Sequence, residues 1–199
     1  MITRVGDSRL PRAHRLTAIT LLAVPISDAE NKQWALDKIR ELRPQMVVDI
    51  GPGAGTYSDL AHAHTPGATW KAVEAWAPYI TEHGLWQKYD HVIVADVRHI
   101  DLHSIAYAPD LVIIGDVLEH MAKPEARSVL RLLQAWTDNL LVSIPLAHHA
   151  QDAVGGNWFE IHRDHWQHDE MLRELGRGVV DSVQGDVLGY YLWSVAACA

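Results

Sequence analysis

The chain has 199 residues, 48% of them hydrophobic, so it is long enough for one domain with a full core and too apolar to be disordered. Its formal net charge of −8 argues against a nonspecific nucleic-acid surface. A single cysteine, Cys198, excludes an intrachain disulfide or a cysteine-based metal site, which suits a reducing cytoplasm.

Residues 1–27 combine a basic stretch with a short apolar run that ends at Pro25. A signal peptide is one interpretation, but Asp7 interrupts the basic stretch and no small-residue cleavage site follows directly. The apolar run of about nine residues is too short to span a bilayer. We therefore expect residues 1–27 to pack on the domain or to cover its binding site, and residues 28–199 to form the domain.

Short apolar strands alternate with helices along the rest of the chain. Helices are predicted at 28–43, 56–64, 78–87, 124–136 and 168–175, and strands at 46–50, 68–74, 91–95, 111–115, 140–144, 179–183 and 188–195. The last two strands are joined by a short turn, so they must pair antiparallel. This alternation predicts an α/β fold with a doubly wound, mostly parallel seven-stranded sheet that ends in an antiparallel hairpin.

The most informative stretch follows the first strand and reads D-x-G-x-G-x-G, with Asp49, Gly51, Gly53 and Gly55. A dinucleotide-binding fingerprint would need glycine at position 56, where Thr56 stands. The stretch resembles motif I of the class I S-adenosylmethionine (SAM)-dependent methyltransferases. Taken alone, the same glycines are also compatible with a simple tight turn between strand and helix.

Acidic residues at the next two strand ends extend the resemblance. Glu74 lies at the distance from the glycines where a carboxylate accepts hydrogen bonds from ribose hydroxyls. The resemblance implies that Glu74 binds the ribose of SAM, that Asp96 accepts from the adenine amino group with Val97 against the ring, and that Asp49 lies near the SAM ammonium. The alternatives are a solvated carboxylate at 74 and an Asp turn before Arg98.

The fourth strand runs into Asp116-Val117-Leu118-Glu119-His120. This stretch is similar to the D/E-V-L-E-H element of small-molecule O-methyltransferases, including the ubiquinone-biosynthesis type, and to the E-x-x-E-H element of the Hen1-type RNA 2′-O-methyltransferases. A helix beginning at Asp116 would place Glu119 and His120 on the same face. The resemblance puts Asp116 near the SAM methyl group; a capping box formed by Asp116 and Glu119 is the alternative.

A second histidine adds a metal hypothesis. His162 stands four residues before Trp166, as in Hen1-type enzymes, so the resemblance implies a divalent ion held by Asp116, Glu119, His120 and His162. Oxygen and imidazole ligands suit Mg²⁺, Mn²⁺ or Fe²⁺. The Hen1 element has Glu where Asp116 stands. Without a metal, His120 or His162 is a candidate general base that takes the proton of an attacking hydroxyl.

Residues 146–165 have no clear period, and we expect them to form a substrate loop. Trp158 and Trp166 flank this loop and are considered either as pocket residues or as core. Histidines are concentrated in and just after it, at positions 148, 149, 162, 165 and 168.

The resemblance implies a SAM-dependent methyltransferase acting on the oxygen of a small molecule or sugar. The single cysteine favours a cytoplasmic location, and residues 1–27 are expected to pack on the domain or to cover the cofactor site. The acidic charge argues against a nucleic-acid partner, and no membrane partner is expected. The alternatives are a Hen1-like RNA 2′-O-methyltransferase and a non-catalytic SAM-binding partner subunit. The sequence leaves the acceptor and the oligomeric state open.

Overall fold

The structure, a computed structural model, describes residues 28–198. The predicted covering role of residues 1–27 lies outside the described residues. Within the described part of the chain, no helix has both the length and the apolar character needed to cross a membrane.

Helices and strands alternate as the sequence predicts. The helices are α1 (Lys32–Leu42), α2 (Thr56–Ala61), α3 (Ala77–Glu82), α4 (Leu85–Lys88), α5 (Lys123–Trp136) and α6 (His168–Leu175). The strands are β1 (Met46–Ile50), β2 (Thr69–Glu74), β3 (His91–Val94), β4 (Leu111–Gly115), β5 (Asn139–Pro145), β6 (Val179–Gln184) and β7 (Leu188–Ser194).

One seven-stranded sheet has the order β3-β2-β1-β4-β5-β7-β6. Strands β1 to β5 pair in parallel, and β7 lies antiparallel between β5 and β6. The predicted fold is therefore confirmed, including the closing hairpin. Because parallel strands end at the same edge, the residues that follow β1, β2, β3 and β4 come together there.

The core lies on both faces of the sheet. Val47 and Val48, adjacent on β1, point to opposite faces and belong to separate hydrophobic clusters. The first four helices contribute to the cluster containing Val47, and α5 and α6 to the one containing Val48. Trp166 is fully buried in the latter cluster, with the Lys123 ammonium 5.2 Å from its ring centroid.

Two predicted helices differ from those observed. The helix predicted at 78–87 is two short helices, because Gly84 adopts the left-handed conformation with φ 63° between them. The first helix begins at Lys32 rather than at 28. Glu30, expected inside it, instead accepts hydrogen bonds from the backbone amides of residues 186, 187 and 188 and so holds the β6–β7 turn.

Candidate active site

A cavity of about 520 Å³ opens at the carboxyl edge of the sheet. Gly51, Glu74, Asp96 and Asp116, each at or just beyond the end of a different parallel strand, contribute to its wall. Residues of the loop 146–165 form the opposite side. The volume is within the range of roughly 300–1,000 Å³ common for small-molecule sites.

The glycine loop brings its backbone to the surface of this cavity. Gly51 has φ +64°, and a Cβ atom built there would lie 2.5 Å from Cγ2 of Val117, so position 51 accepts only glycine without rearrangement. Gly53 has φ +52° with open space where a Cβ would be. A ligand can therefore approach the loop closely at Gly53. Gly55 is the N-cap residue of α2 and does not contribute to the cavity wall.

Glu74 is buried and held by backbone amides. Its Oε1 accepts from the Trp76 amide at 2.7 Å and its Oε2 from the Gly53 amide at 3.4 Å. Burial raises the pKa of Glu74 to about 7, and the nearby Glu160 carboxylate acts in the same direction. A buried carboxylate with few donors suits a ligand that brings hydroxyl donors, such as a ribose.

Asp96 combines the two roles considered for it. Its carboxylate accepts hydrogen bonds from the backbone and guanidinium of Arg98, as in an Asp turn, and it also contributes to the cavity wall. Partial burial acts to raise the pKa of Asp96, but the Arg98 contacts outweigh it, so the pKa is lowered and the carboxylate is charged. Val97, buried beside it, supplies apolar surface to the same wall.

The structure does not place Asp49 in the cavity wall, contrary to the role that the resemblance implies. Asp49 is buried beneath the glycine loop, and its Oδ2 accepts from the Tyr89 hydroxyl at 2.6 Å. Burial raises the pKa of Asp49 to about 7, although Tyr89 and the Lys32 charge oppose this. A side chain in the middle of a strand takes the face that the pleat gives it, and here that face leads into the protein.

The segment after β4 departs from the helix predicted to begin at Asp116. Asp116 adopts the left-handed conformation with φ 55°, and a short 3₁₀ turn follows at Leu118–His120. The Asp116–Glu119 capping box is therefore absent. Asp116 contributes to the cavity wall, and its Oδ1 accepts from the Ser143 hydroxyl at 3.0 Å.

Three of the four predicted metal ligands come together. Glu119, His120 and His162 each offer one ligand atom within 4.8 Å of the others, and Asp116 is not part of this cluster. Its left-handed backbone directs it instead to Ser143. Glu119 Oε2 and His120 Nδ1 are buried and have no hydrogen-bond partner among the described residues.

The electrostatics of this cluster suit a divalent cation. Burial, with Asp116 and Glu160, raises the pKa of Glu119, while burial and His162 lower the pKa of His120 to about 4. His162 Nδ1 lies 2.6 Å from the carbonyl oxygen of His149 and must donate to it, which leaves the lone pair on Nε2. Imidazole nitrogens and a buried carboxylate are a donor set that a divalent ion would accept.

The loop 146–165 contributes the following residues to the wall: Ala147, His148, His149, Gln151, Asn157, Phe159, Glu160 and His162. Neither tryptophan belongs to this set: Trp158 is 69% exposed and Trp166 lies in the core, so the pocket interpretation of both is wrong. Phe159, next to Trp158, faces the cavity instead.

Sequence reasoning missed several cavity residues. Glu160 and Tyr79 both contribute to the cavity wall, where their side chains are hydrogen-bonded to each other, and Tyr57 follows Thr56 after the glycine motif. Sequence reasoning also missed Lys32, which does not contribute to the cavity wall but is buried on the core face of α1 with Ala35, Leu36 and Ile39. The i, i+3, i+4, i+7 spacing of these four residues was a signal that position 32 is buried.

Comparison with known proteins relates this geometry to solved structures. No protein-family model and no curated protein matches the chain. An O-methyltransferase family protein from Burkholderia thailandensis is 17% identical with a TM-score of 0.57, covering 82% of this chain, which spans only 55% of that protein. The methyltransferase domain of a bacterial Hen1 protein is 13% identical with a TM-score of 0.60, covering 83% of this chain and 97% of that domain.

A third solved structure is the magnesium protoporphyrin IX methyltransferase from Synechocystis with bound SAM. It is 18% identical with a TM-score of 0.56, covering 81% of this chain and 78% of that protein. At these identities the likeness establishes the fold, which is the Rossmann-like fold of the class I SAM-dependent methyltransferases.

Proposed function

We propose that this chain is a SAM-dependent methyltransferase that methylates a hydroxyl of a small molecule or sugar. The observation that carries the proposal is the convergence of Gly53, Glu74 and Asp96 on one cavity at the carboxyl edge of a methyltransferase-type sheet. Glycine amides and carboxylates suit a cofactor with an ammonium, a ribose and a sulfonium. The residues present therefore fit SAM.

The proposed cofactor site occupies one half of the cavity. Glu74 would accept from the ribose hydroxyls, Asp96 from the adenine amino group, and Val97 would pack against the ring. The open space at Gly53 admits the cofactor next to the backbone. Catalysis would then depend mainly on holding the methyl group in line with the acceptor oxygen.

The proposed acceptor site is the other half, beneath loop 146–165. Arg98 is the one lysine or arginine in the wall formed by the described residues, and it is bonded to Asp96 and Glu125. Among the described wall residues, no lysine or arginine other than Arg98 could therefore pair with a phosphate or carboxylate group on the acceptor. This supports an uncharged, hydroxyl-bearing acceptor.

Proton removal from the acceptor can occur in two ways at this site. Glu119, His120 and His162 would hold a divalent ion such as Mg²⁺, Mn²⁺ or Fe²⁺, which would lower the pKa of a bound hydroxyl. Without it, His162 or His120 would act as general base; burial lowers the pKa of His120 to about 4, so His120 is neutral but a weak base.

A Hen1-like RNA 2′-O-methyltransferase is the second candidate, favoured by the same three-residue cluster. A ribose terminus presents the vicinal hydroxyls that such a cluster could orient. The formal net charge of −8 disfavours it, because RNA binding depends on cationic contacts to phosphates.

Calorimetric titration with S-adenosylhomocysteine (SAH) tests the proposal, and failure of folded protein to bind it would refute it. Transfer from labelled SAM to a panel of neutral sugars and phenols, compared with short RNA, then separates the two enzymes. Cofactor binding without transfer to any acceptor would favour the non-catalytic partner subunit.

A further inference from the structure

A chain of buried polar groups leads from the first helix to the middle of the cavity. The Lys32 ammonium lies 3.5 Å from the Tyr57 hydroxyl, that hydroxyl 2.9 Å from Ser143 Oγ, and Ser143 Oγ 3.0 Å from Asp116 Oδ1. An ammonium only donates and a carboxylate only accepts, so the direction of every hydrogen bond along the chain is defined.

This chain holds Asp116 in an unfavourable backbone conformation. A left-handed conformation at a residue with a side chain costs on the order of 1 kcal/mol and persists where the surroundings impose it. Ser143 imposes it twice: its hydroxyl donates to the Asp116 carboxylate, and its carbonyl accepts from the Asp116 amide at 3.0 Å.

Close packing at Gly115 makes this arrangement possible. A Cβ atom at Gly115 would lie within 3 Å of the Tyr57 ring and hydroxyl. Only glycine at the end of β4 therefore lets Tyr57 cross the strand and reach Ser143 on β5.

Lys32 supplies a positive charge at the buried end of this chain of hydrogen bonds. Its ammonium lies 4.7 Å from the Tyr57 ring centroid and 5.3 Å from that of Tyr190. Burial lowers the pKa of Lys32, but Asp116, Asp49 and Asp28 oppose this. A lysine on the core face of a helix is costly, so the attraction of Lys32 to Asp116 and two other carboxylates indicates an electrostatic role.

The location of Asp116 in the sheet indicates what the chain serves. Strand β4 lies between β1, whose loop borders the proposed cofactor half, and β5, which leads into loop 146–165. Asp116 is therefore at the junction where a methyl group would pass from cofactor to acceptor.

We propose that Lys32, Tyr57 and Ser143 are positioning residues that hold the Asp116 carboxylate against the sulfonium of SAM. This inference rests on the proposed function. On transfer, the acceptor oxygen would form the new C–O bond as the S–C bond breaks with its electron pair left on sulfur. The hydroxyl proton would pass to the general base, His162 or His120, and the sulfonium would become a neutral thioether. The carboxylate would then lose its ionic partner, so Asp116 strengthens the binding of SAM more than that of SAH.

The test is the ratio of SAH to SAM dissociation constants, measured by calorimetry on the whole chain. Tyr57→Phe and Ser143→Ala each remove one hydroxyl, and Lys32→Met removes the ammonium. The matched control is Tyr191→Phe, which removes a buried hydroxyl bonded to His168 in the other core cluster. A merely structural defect would weaken both ligands equally and leave the ratio unchanged.

We expect the ratio of SAH to SAM dissociation constants to fall about tenfold in the variants relative to wild type, the size expected for losing a hydrogen bond to a charged group, and to keep its wild-type value in Tyr191→Phe. An unchanged ratio in Tyr57→Phe and Ser143→Ala would overturn the inference. If Lys32→Met does not fold, the ratios of these two variants are sufficient for the test. Binding of neither ligand by folded wild type would instead refute the proposed function, and the inference with it.

Discussion

The Gly53 amide donates a hydrogen bond to Oε2 of Glu74 across 3.4 Å, which joins the glycine loop after β1 to the carboxylate that ends β2. The Trp76 amide holds the other carboxylate oxygen at 2.7 Å. The Glu74 carboxylate is thus oriented before any ligand arrives, and this preorganisation lowers the entropic cost of ligand binding.

Glu74→Ala should weaken SAH binding by about 1–3 kcal/mol, because two ribose hydroxyls would lose a charged acceptor. The measurement is calorimetric titration. Glu82→Ala removes an exposed carboxylate from the neighbouring helix α3 and serves as the control. Equal affinities for the two variants would contradict the ribose-binding role of Glu74.

Gly51→Ala should destabilise the protein more than Gly67→Ala, by about 1–3 kcal/mol in the free energy of unfolding. Both positions have positive φ, but a Cβ at Gly51 meets Val117 whereas one at Gly67 meets nothing within 4 Å. Chemical denaturation of both variants gives the comparison. Adding Val117→Ala to Gly51→Ala should recover part of the difference; similar losses at 51 and 67 would show that crowding is unimportant.

Asp49→Asn should stabilise the protein at high pH. The pKa of Asp49 is raised by burial from 3.8 to about 7, so the folded state binds the proton more tightly than the unfolded state. Stability from this group is present at low pH and lost as the pH rises through that window. The Asn side chain can still accept from Tyr89.

The free energy of unfolding, measured by urea denaturation at several pH values, should show nearly equal stabilities near pH 4 and a gain on the order of 4 kcal/mol for the variant near pH 8. Asp37→Asn, at an exposed position on α1, should keep the wild-type pH dependence. A variant that loses stability as the pH rises as steeply as wild type would contradict the assignment.

Glu119→Gln and His162→Ala should each weaken Mn²⁺ binding at least tenfold, because each removes a ligand from a three-residue site. Titration of chelator-treated protein measures the affinity. His148→Ala changes another cavity histidine outside the cluster and should bind like wild type. Asp116→Asn should also bind Mn²⁺ like wild type. If this variant instead loses Mn²⁺ binding, Asp116 is a ligand, as in the four-ligand site that the sequence predicts.

Chelator-treated wild type that takes up no divalent ion would exclude the metal and leave a histidine as general base. The metal titration needs no acceptor, so its result does not depend on identifying the substrate.

Local sequence was sufficient for the elements and for the edge at which the site lies. The apolar runs of β1 to β5 are short, bounded by turn residues and separated by helices, so a parallel sheet could be inferred from this alternation. Glu74 and Asp96 lie in the cavity wall because residues at the ends of parallel strands meet at one edge of the sheet. Within the described residues, even the hairpin of β6 and β7 follows from the brevity of its turn.

Tertiary contacts decided where individual side chains point. Asp49 turns to Tyr89, forty positions along the chain, and Asp116 leaves the predicted helix face because Ser143 on β5 binds it. Trp166 is buried rather than in the cavity. The spacing of residues along one strand or helix determines its period, but each of these partners comes from a distant element, and close packing in the folded chain selects among them.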